Sequence, residues 1–238
     1  MVIEFGETST DFQLSSVTLL GNTTVAKCTI SGVDLLYKIQ SAGRHFAMNA
    51  LGALVSAQAV GADLAIAVSD LGQWLPYTGR GARETIALDP VEREQTLELI
   101  DDSYNANPTS LGAALDVLAA ADVVDGVGRI KRGRRIAFVG DMKELGTDEI
   151  ALHIAMATHP AIEGIQLVHA VGPLMRHMYD ALPTEKRGEW RETSAEMAEI
   201  THQLIDAGDC VLAKGSLSMG LIKVVDAIRK LGHPALQS

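Results

Sequence analysis

Asp101-Asp102-Ser103-Tyr104-Asn105-Ala106-Asn107 places two carboxylates, a hydroxyl, a phenol and two carboxamides within seven positions. That is far more hydrogen-bonding capacity than a turn needs. An apolar strand pattern over 97–100 precedes it. A helical pattern follows from Pro108, with Leu111, Ala114, Leu115 and Leu118 on one face. Asn107 suits a helix N-cap and Pro108 the first helical turn. In open α/β sheets ligands sit on such loops, at the carboxyl ends of strands. Asp101 and Asp102 alone could simply cap and solvate a turn, but the whole string asks for more.

Three further stretches carry chemistry. Lys214-Gly215-Ser216 closes an apolar strand over 209–213 and faces the start of a helix over 219–231, a ready anion site. Arg80, after Pro76-Tyr77-Thr78-Gly79, is a permanently charged planar fork that can bond two phosphate oxygens at once, with Arg83 as a near neighbour. Gly140-Asp141-Met142-Lys143-Glu144-Leu145-Gly146 follows a strand over 135–139. His45 and Asn49 open an Ala- and Leu-rich helix over 46–60, where a structural hydrogen bond and an exposed helix face are the plain readings.

The elements that must position these groups alternate. Residues 1–40 read as strands, with a hairpin over 24–39 at Ser31-Gly32 and no helix of their own to cover a sheet. A helix over 63–71 follows, then a polar stretch over 89–98 where a domain boundary is expected. Helices are expected over 108–121, 148–158, 174–181 and 194–207, the last capped by Ser194. Strands are expected over 135–139, 167–171 and 209–213. A basic loop over 129–134 and a polar loop over 184–191 read as solvated connections. The β-α repeat from 97 to 231 implies an α/β fold with a mostly parallel, Rossmann-like sheet and flanking helices.

Composition narrows the function. The 238 residues are 47% hydrophobic and 21% charged, ordinary for a globular protein. Net charge is −10, shared evenly: residues 1–98 hold 6 Lys/Arg against 11 Asp/Glu, and residues 99–238 hold 14 against 19. With no basic module, nucleic acid and anionic membrane are not expected as partners. Cys28 and Cys210 read as reduced, buried thiols, and no signal peptide or membrane-spanning run is expected, so the cytoplasm is the default location. No Cys/His cluster has metal-ligand spacing, and no nucleophile motif appears. A dinucleotide-binding oxidoreductase would need a Gly-x-Gly-x-x-Gly fingerprint, which is lacking.

The string from Asp101 to Pro108, together with Gly140 to Gly146, Pro76-Tyr77-Thr78-Gly79-Arg80, Gly43-Arg44-His45 with Asn49, and Lys214-Gly215-Ser216 with Met219, resembles the Mur ligases. The likeness is strongest to the branch that joins D-alanyl-D-alanine to UDP-MurNAc-tripeptide. Two positions depart from the family's patterns: Phe46 stands for an Asn and Leu217 for an Arg.

The resemblance implies a domain over 97–238 corresponding to the Mur ligase C-terminal domain. It implies that residues 1–96 correspond to the β/α end of an ATP-binding central domain. Its implied nucleotide-binding residues are His45, Asn49, Arg80 and Asp102, with Asp102 on the ribose. Its implied substrate-binding residues are Asn105, Lys214 and Ser216. It implies ATP and Mg²⁺ as cofactors, with the magnesium ligands and the phosphate loop expected upstream of Phe5. UDP-MurNAc-tripeptide and D-alanyl-D-alanine are the implied partners, in peptidoglycan, cell-shape and division metabolism, for a cytoplasmic monomer. No Gly-x-x-x-x-Gly-Lys-Thr loop occurs in the chain. The expectation is therefore a ligase portion inactive alone, with a non-catalytic nucleotide- or dipeptide-binding module as the alternative.

Overall fold

A computed structural model describes residues 2–233. The chain forms two compact units that divide between Pro76 and Tyr77.

In the first unit, β1 (Phe12–Leu20), β2 (Thr23–Ile30) and β3 (Val33–Ile39) form an antiparallel sheet in the order β1-β2-β3. Ser31 and Gly32 make the expected hairpin turn with φ of 50° and 81°. Two consecutive positive φ angles match the right-handed twist of paired strands. The sheet was expected to lack a cover. Helix α1 (Arg44–Ala59) supplies one. Ala47, Leu51, Leu54 and Val55 pack on Phe12, Leu14, Ala26, Cys28, Ile30, Tyr37 and Ile39. The buried Tyr37 hydroxyl donates to Ala47 O at 2.6 Å, which ties strand to helix. Helix α2 (Leu64–Leu71) is capped by Asp63, whose carboxylate accepts from Ala65 N and Ile66 N.

The second unit is a six-stranded sheet. Its strands are β4 (Ala82–Ala87), β5 (Thr96–Asp102), β6 (Arg135–Gly140), β7 (Leu167–Val171), β8 (Arg187–Arg191) and β9 (Cys210–Lys214). The order is β4-β5-β9-β6-β7-β8, with β4 antiparallel to β5 and the other neighbours parallel. Whereas a boundary was expected at 96/97, β4 lies C-terminal to the observed division and pairs with β5 from Ala82↔Asp101 to Ala87↔Thr96. The polar stretch between them is the connection of a hairpin-like pair.

Helices α3 (Pro108–Ala119), α4 (Glu149–Met156) and α5 (Met175–Ala181) pack in succession, α3 against β9 and β6. Helices α6 (Ser194–Leu204) and α7 (Ile222–Arg229) cover the other face. There Met197, Val224, Val225 and Ile228 pack on Leu97, Leu99, Ile136, Phe138, Val211 and Ala213. Near-continuous burial along β6 and β9 is what a strand covered on both faces requires.

Three local expectations change. Residues 184–191 form a 3₁₀ turn (Thr184–Lys186) and the edge strand β8, which pairs in parallel with β7 and is held by Trp190 Nε1 donating to Gly172 O at 3.0 Å. Thr193, not Ser194, caps α6: it makes a reciprocal capping box with Glu196, while Ser194 is buried and its hydroxyl donates to Met219 O. The basic loop is anchored as well as solvated. Arg134 forks onto Asp209 at 3.1 and 2.6 Å, and Ile130 N donates to Asp206 at 2.7 Å.

Topology fixes where a ligand can sit. The chain leaves β5 toward the α3 face and leaves β9 toward the α7 face, so the carboxyl ends of these neighbours part and open a crevice. The same holds between β9 and β6, whose chain leaves toward α4. Such switch points are where open α/β sheets bind ligands.

Candidate functional site

The strand register builds the first crevice. Asp102 pairs with Lys214 in the parallel ladder, so their side chains share a face. Lys214 Nζ donates to Asp102 Oδ2 at 2.7 Å and to Asn105 O at 2.8 Å. The Lys214 side chain is 3% exposed and that of Asp102 22%. Burial pushes the Asp102 carboxyl above its ordinary range, with Lys214 and Arg80 pulling against that rise. Asp102 is thus a carboxylate held from behind, with only part of its surface open to a ligand.

Asp101 faces the opposite way. It is buried, accepts from Ser103 Oγ at 2.6 Å and from Arg229 Nη2 at 2.9 Å, and shares that guanidinium with Glu84. Arg229 lies on α7, more than a hundred residues away, so Asp101 locks β5 to the last helix. One Asp of the pair is structural and its neighbour stands at the crevice. Alternation along a strand produces this division.

Arg80 is brought to the same end of β5. Gly81 N donates to Asp101 O at 2.8 Å, and Tyr104 N donates to Gly79 O at 3.0 Å. Gly79 and Gly81 have φ of 79° and 82°, and a Cβ at Gly79 would stand 3.3 Å from Tyr104 Cβ. The exposed Arg80 guanidinium lies over the Tyr104 ring, 4.2 Å from its centroid. This stacking pre-sets a long side chain that would otherwise wander.

The loop after β9 is held by the loop after β6. Ser216 N donates to Asp141 O at 3.1 Å, and Lys143 N donates to Ser216 Oγ at 2.8 Å. Asp141 is fully buried. It accepts from Met175 N at 2.7 Å and from Lys143 Nζ at 2.9 Å. His153 is buried, accepts the Met142 N–H at Nε2 and donates to Glu149 O from Nδ1, which shapes this loop.

Of the residues singled out from sequence, Asp102, Asn105, Lys214 and Ser216 are therefore gathered at one end of β5 and β9, with Arg80 alongside. Asn105 is exposed and its side chain accepts from Ala106 N, while Ser216 is 5% exposed. His45 and Asn49 belong to the first unit. Asn49 is exposed on α1. The His45 ring lies 4.1 Å from that of Phe46, which lies 5.7 Å from Trp74. Sequence reading missed Tyr104 as the support of Arg80, Arg229 as the partner of Asp101, and Lys143. Tyr104 could have been found from its place inside the polar string; Arg229 leaves no local signal.

The family model described as "Mur ligase, glutamate ligase domain" matches residues 88–217, more than half of the chain. The chain belongs to the Mur ligase family.

Within that family it is similar to the UDP-N-acetylmuramoyl-tripeptide–D-alanyl-D-alanine ligase of Escherichia coli, at 31% identity over 91% of this chain and 43% of that protein. It is 32% identical to the ligase of the same name from Haemophilus influenzae, over 79% of this chain and 38% of that one. Against the first three curated relatives the chain spans 37% to 43% of their length. A MurF structure from Acinetobacter baumannii matches with a TM-score of 0.75 and 24% identity, covering 95% of this chain and 46% of that one. A MurF ligase from Thermotoga maritima in complex with ADP matches at 0.73 and 18%, covering 95% and 48%. These likenesses show the Mur ligase fold. Among the described residues, no group of three or more His, Cys, Asp and Glu is arranged to hold a metal ion. Among the described residues there is therefore no cluster to assign to magnesium. No helix among the described residues is long and apolar enough to cross a membrane.

Proposed function

We propose that this Mur ligase chain supplies the nucleoside side and the amine-substrate side of an ATP-dependent ligase that adds D-alanyl-D-alanine to UDP-MurNAc-tripeptide in peptidoglycan precursor synthesis. The observation that carries the reading is the crevice between β5 and β9. There an oriented carboxylate, Asp102, stands beside a pre-set guanidinium, Arg80, in a member of this family.

Asp102 accepts the two hydroxyls of a ribose, and Arg80 bonds phosphate oxygens with two N–H groups at once. Lys214 keeps the Asp102 carboxylate in place and, through Asn105 O, fixes the loop that borders the amine substrate. Ser216 lines the neighbouring edge. In the first unit, His45 and Asn49 are assigned to the adenine side, and that unit to the late part of the ATP-binding central domain. The second unit corresponds to the C-terminal domain. The chain acts as a cytoplasmic monomer. What these residues do for the reaction is positioning: they hold two reactants in one geometry, which can remove several kcal/mol of barrier, about 7 or more in well-oriented cases.

The chain lacks a Gly-x-x-x-x-Gly-Lys-Thr loop, and we propose that it does not turn over by itself. The test is ADP formation with Mg-ATP, UDP-MurNAc-tripeptide and D-alanyl-D-alanine, run beside direct titration of ADP. Nucleotide binding without turnover is the expected result. Turnover dependent on D-alanyl-D-alanine would show that other groups grip the phosphates, and failure to bind any nucleotide would remove the assignments of Arg80 and Asp102.

A further inference from the structure

Arg229 stands at the last residue of α7 and forks across two strands of the second sheet. Its Nε donates to Glu84 Oε2 on β4 at 2.9 Å. Its Nη2 donates to Glu84 Oε1 and also to Asp101 Oδ2 on β5, the latter at 2.9 Å. Glu84 opposes Leu99 in the antiparallel ladder and Asp101 opposes Ala82, so one guanidinium ties both strands together at the carboxyl end of β5. The Asp101 side chain has no exposure and that of Arg229 26%. A planar fork with donors in fixed directions suits this double hold, and a compact ammonium does not.

Asp101 passes the restraint on. Its Oδ1 accepts from Ser103 Oγ at 2.6 Å and from Ser103 N at 3.3 Å, which closes a turn at the end of the strand. Its carbonyl accepts from Gly81 N, and the Gly79 carbonyl accepts from Tyr104 N. Arg80 is therefore gripped through both of its chain neighbours by residues of that turn, and its guanidinium rests on the Tyr104 ring of the same turn. Gly79 and Gly81 both have positive φ, a backbone without stiffness of its own. The position of Arg80 is thus imposed from outside, by a turn whose buried carboxylate is anchored on the last helix.

We propose that Arg229 is a positioning residue for the nucleotide crevice, fixing through Asp101 and Ser103 the strap that aims Arg80 at a phosphate. This rests on the reading of Arg80 given under Proposed function, and the experiment separates the two. ADP is titrated by calorimetry into the whole chain in its unaltered form, as Arg229→Met, as Arg80→Gln, and as both together. Urea unfolding first establishes that each form is folded. Arg229→Met is expected to weaken ADP binding about tenfold, the worth of one charged hydrogen bond put out of line. In the Arg80→Gln background the same change is expected to add nothing, because a residue that acts only through Arg80 couples fully to it.

Arg229→Lys keeps the charge without the fork and is expected to fall between the two, and it takes the place of Arg229→Met in the cycle should that chain unfold. An equal loss in both backgrounds, which general loosening of the sheet would produce, overturns the positioning role. So does a folded Arg229→Met chain that binds ADP as tightly as the unaltered one. Either result leaves the proposed function standing. An Arg80→Gln chain that binds ADP undiminished, or an unaltered chain that binds none, overturns the assignment of Arg80 and this proposal with it.

Discussion

Replacing Lys214 with Met is the sharpest test of the first crevice. The change keeps the stem and removes the charge, leaving Asp102 behind with 22% of its side chain exposed. At 2.7 Å the attraction between the two charges is about 6 kcal/mol at an effective dielectric constant of about 20. The cost of desolvating both groups cancels much of that, and removing one partner of a buried pair typically costs about 3–5 kcal/mol. Partial exposure of Asp102 places the expected loss near the lower end, about 3 kcal/mol. Trp190 lies in the second unit and Trp74 in the first. In a Trp74→Phe background, urea unfolding followed by Trp190 fluorescence therefore reports on the second unit alone. The double variant Lys214→Met/Asp102→Leu is expected to recover most of the loss, because it leaves no charge stranded. The Asp102 carboxyl is already held above its ordinary range. Without Lys214 it moves further up, so acidification should narrow the deficit of the single variant as the carboxyl takes a proton. A loss below about 1 kcal/mol would refute the pair as a buried structural lock. So would a double variant no better than the single one.

Three other outcomes follow from the same contacts. Asn107→Ala breaks a capping box in which Asn107 Oδ1 accepts from Ser110 N and Ser110 Oγ accepts from Asn107 N; it should cost about 1 kcal/mol in urea unfolding. His169 is 1% exposed, its Nδ1 accepts from Glu189 N, and burial holds its ring well below the usual range, at about 3 against 6.5. A depressed histidine stabilises above 6.5 and loses that contribution as pH falls toward 3, so the chain should weaken by about 2 kcal/mol between pH 7.5 and 5. His169→Gln, which keeps an acceptor, should lack this component in urea titrations at the two pH values. Tyr104→Ala should weaken ADP binding severalfold by calorimetry, whereas Tyr104→Phe, which keeps the ring beneath Arg80, should not.

How much of this was legible in the sequence depends on the range of the interaction. The strand over Leu97, Leu99 and Ile100, the Asn107 cap and the Ser31-Gly32 turn are set by residues within a few positions, and they stand where the sequence pattern puts them. β8 was hidden because its five residues, Arg187–Arg191, include three charged side chains, as an edge strand allows. The division at Pro76/Tyr77 was hidden because β4 earns its place only by pairing with β5, which local composition does not encode. In the site, residue types pointed to Asp102, Lys214 and Ser216. That Asp102 and Lys214 face each other follows from strand order, which places β9 beside β5 across more than a hundred residues.

Strand order also explains why two lysines at one end of a sheet have different roles. β9 is the last strand in the chain, yet it lies between β5 and β6, and its neighbours' loops leave to the other face. A lysine at its last residue, Lys214, points into the ladder face shared with Asp102 and is enclosed by the Asn105 loop. A lysine three residues beyond the end of β6, Lys143, has left the ladder and is held by one carboxylate only from below. Enclosure makes the first a support for Asp102, whereas the second is paired with Asp141 and keeps part of its side chain in solvent.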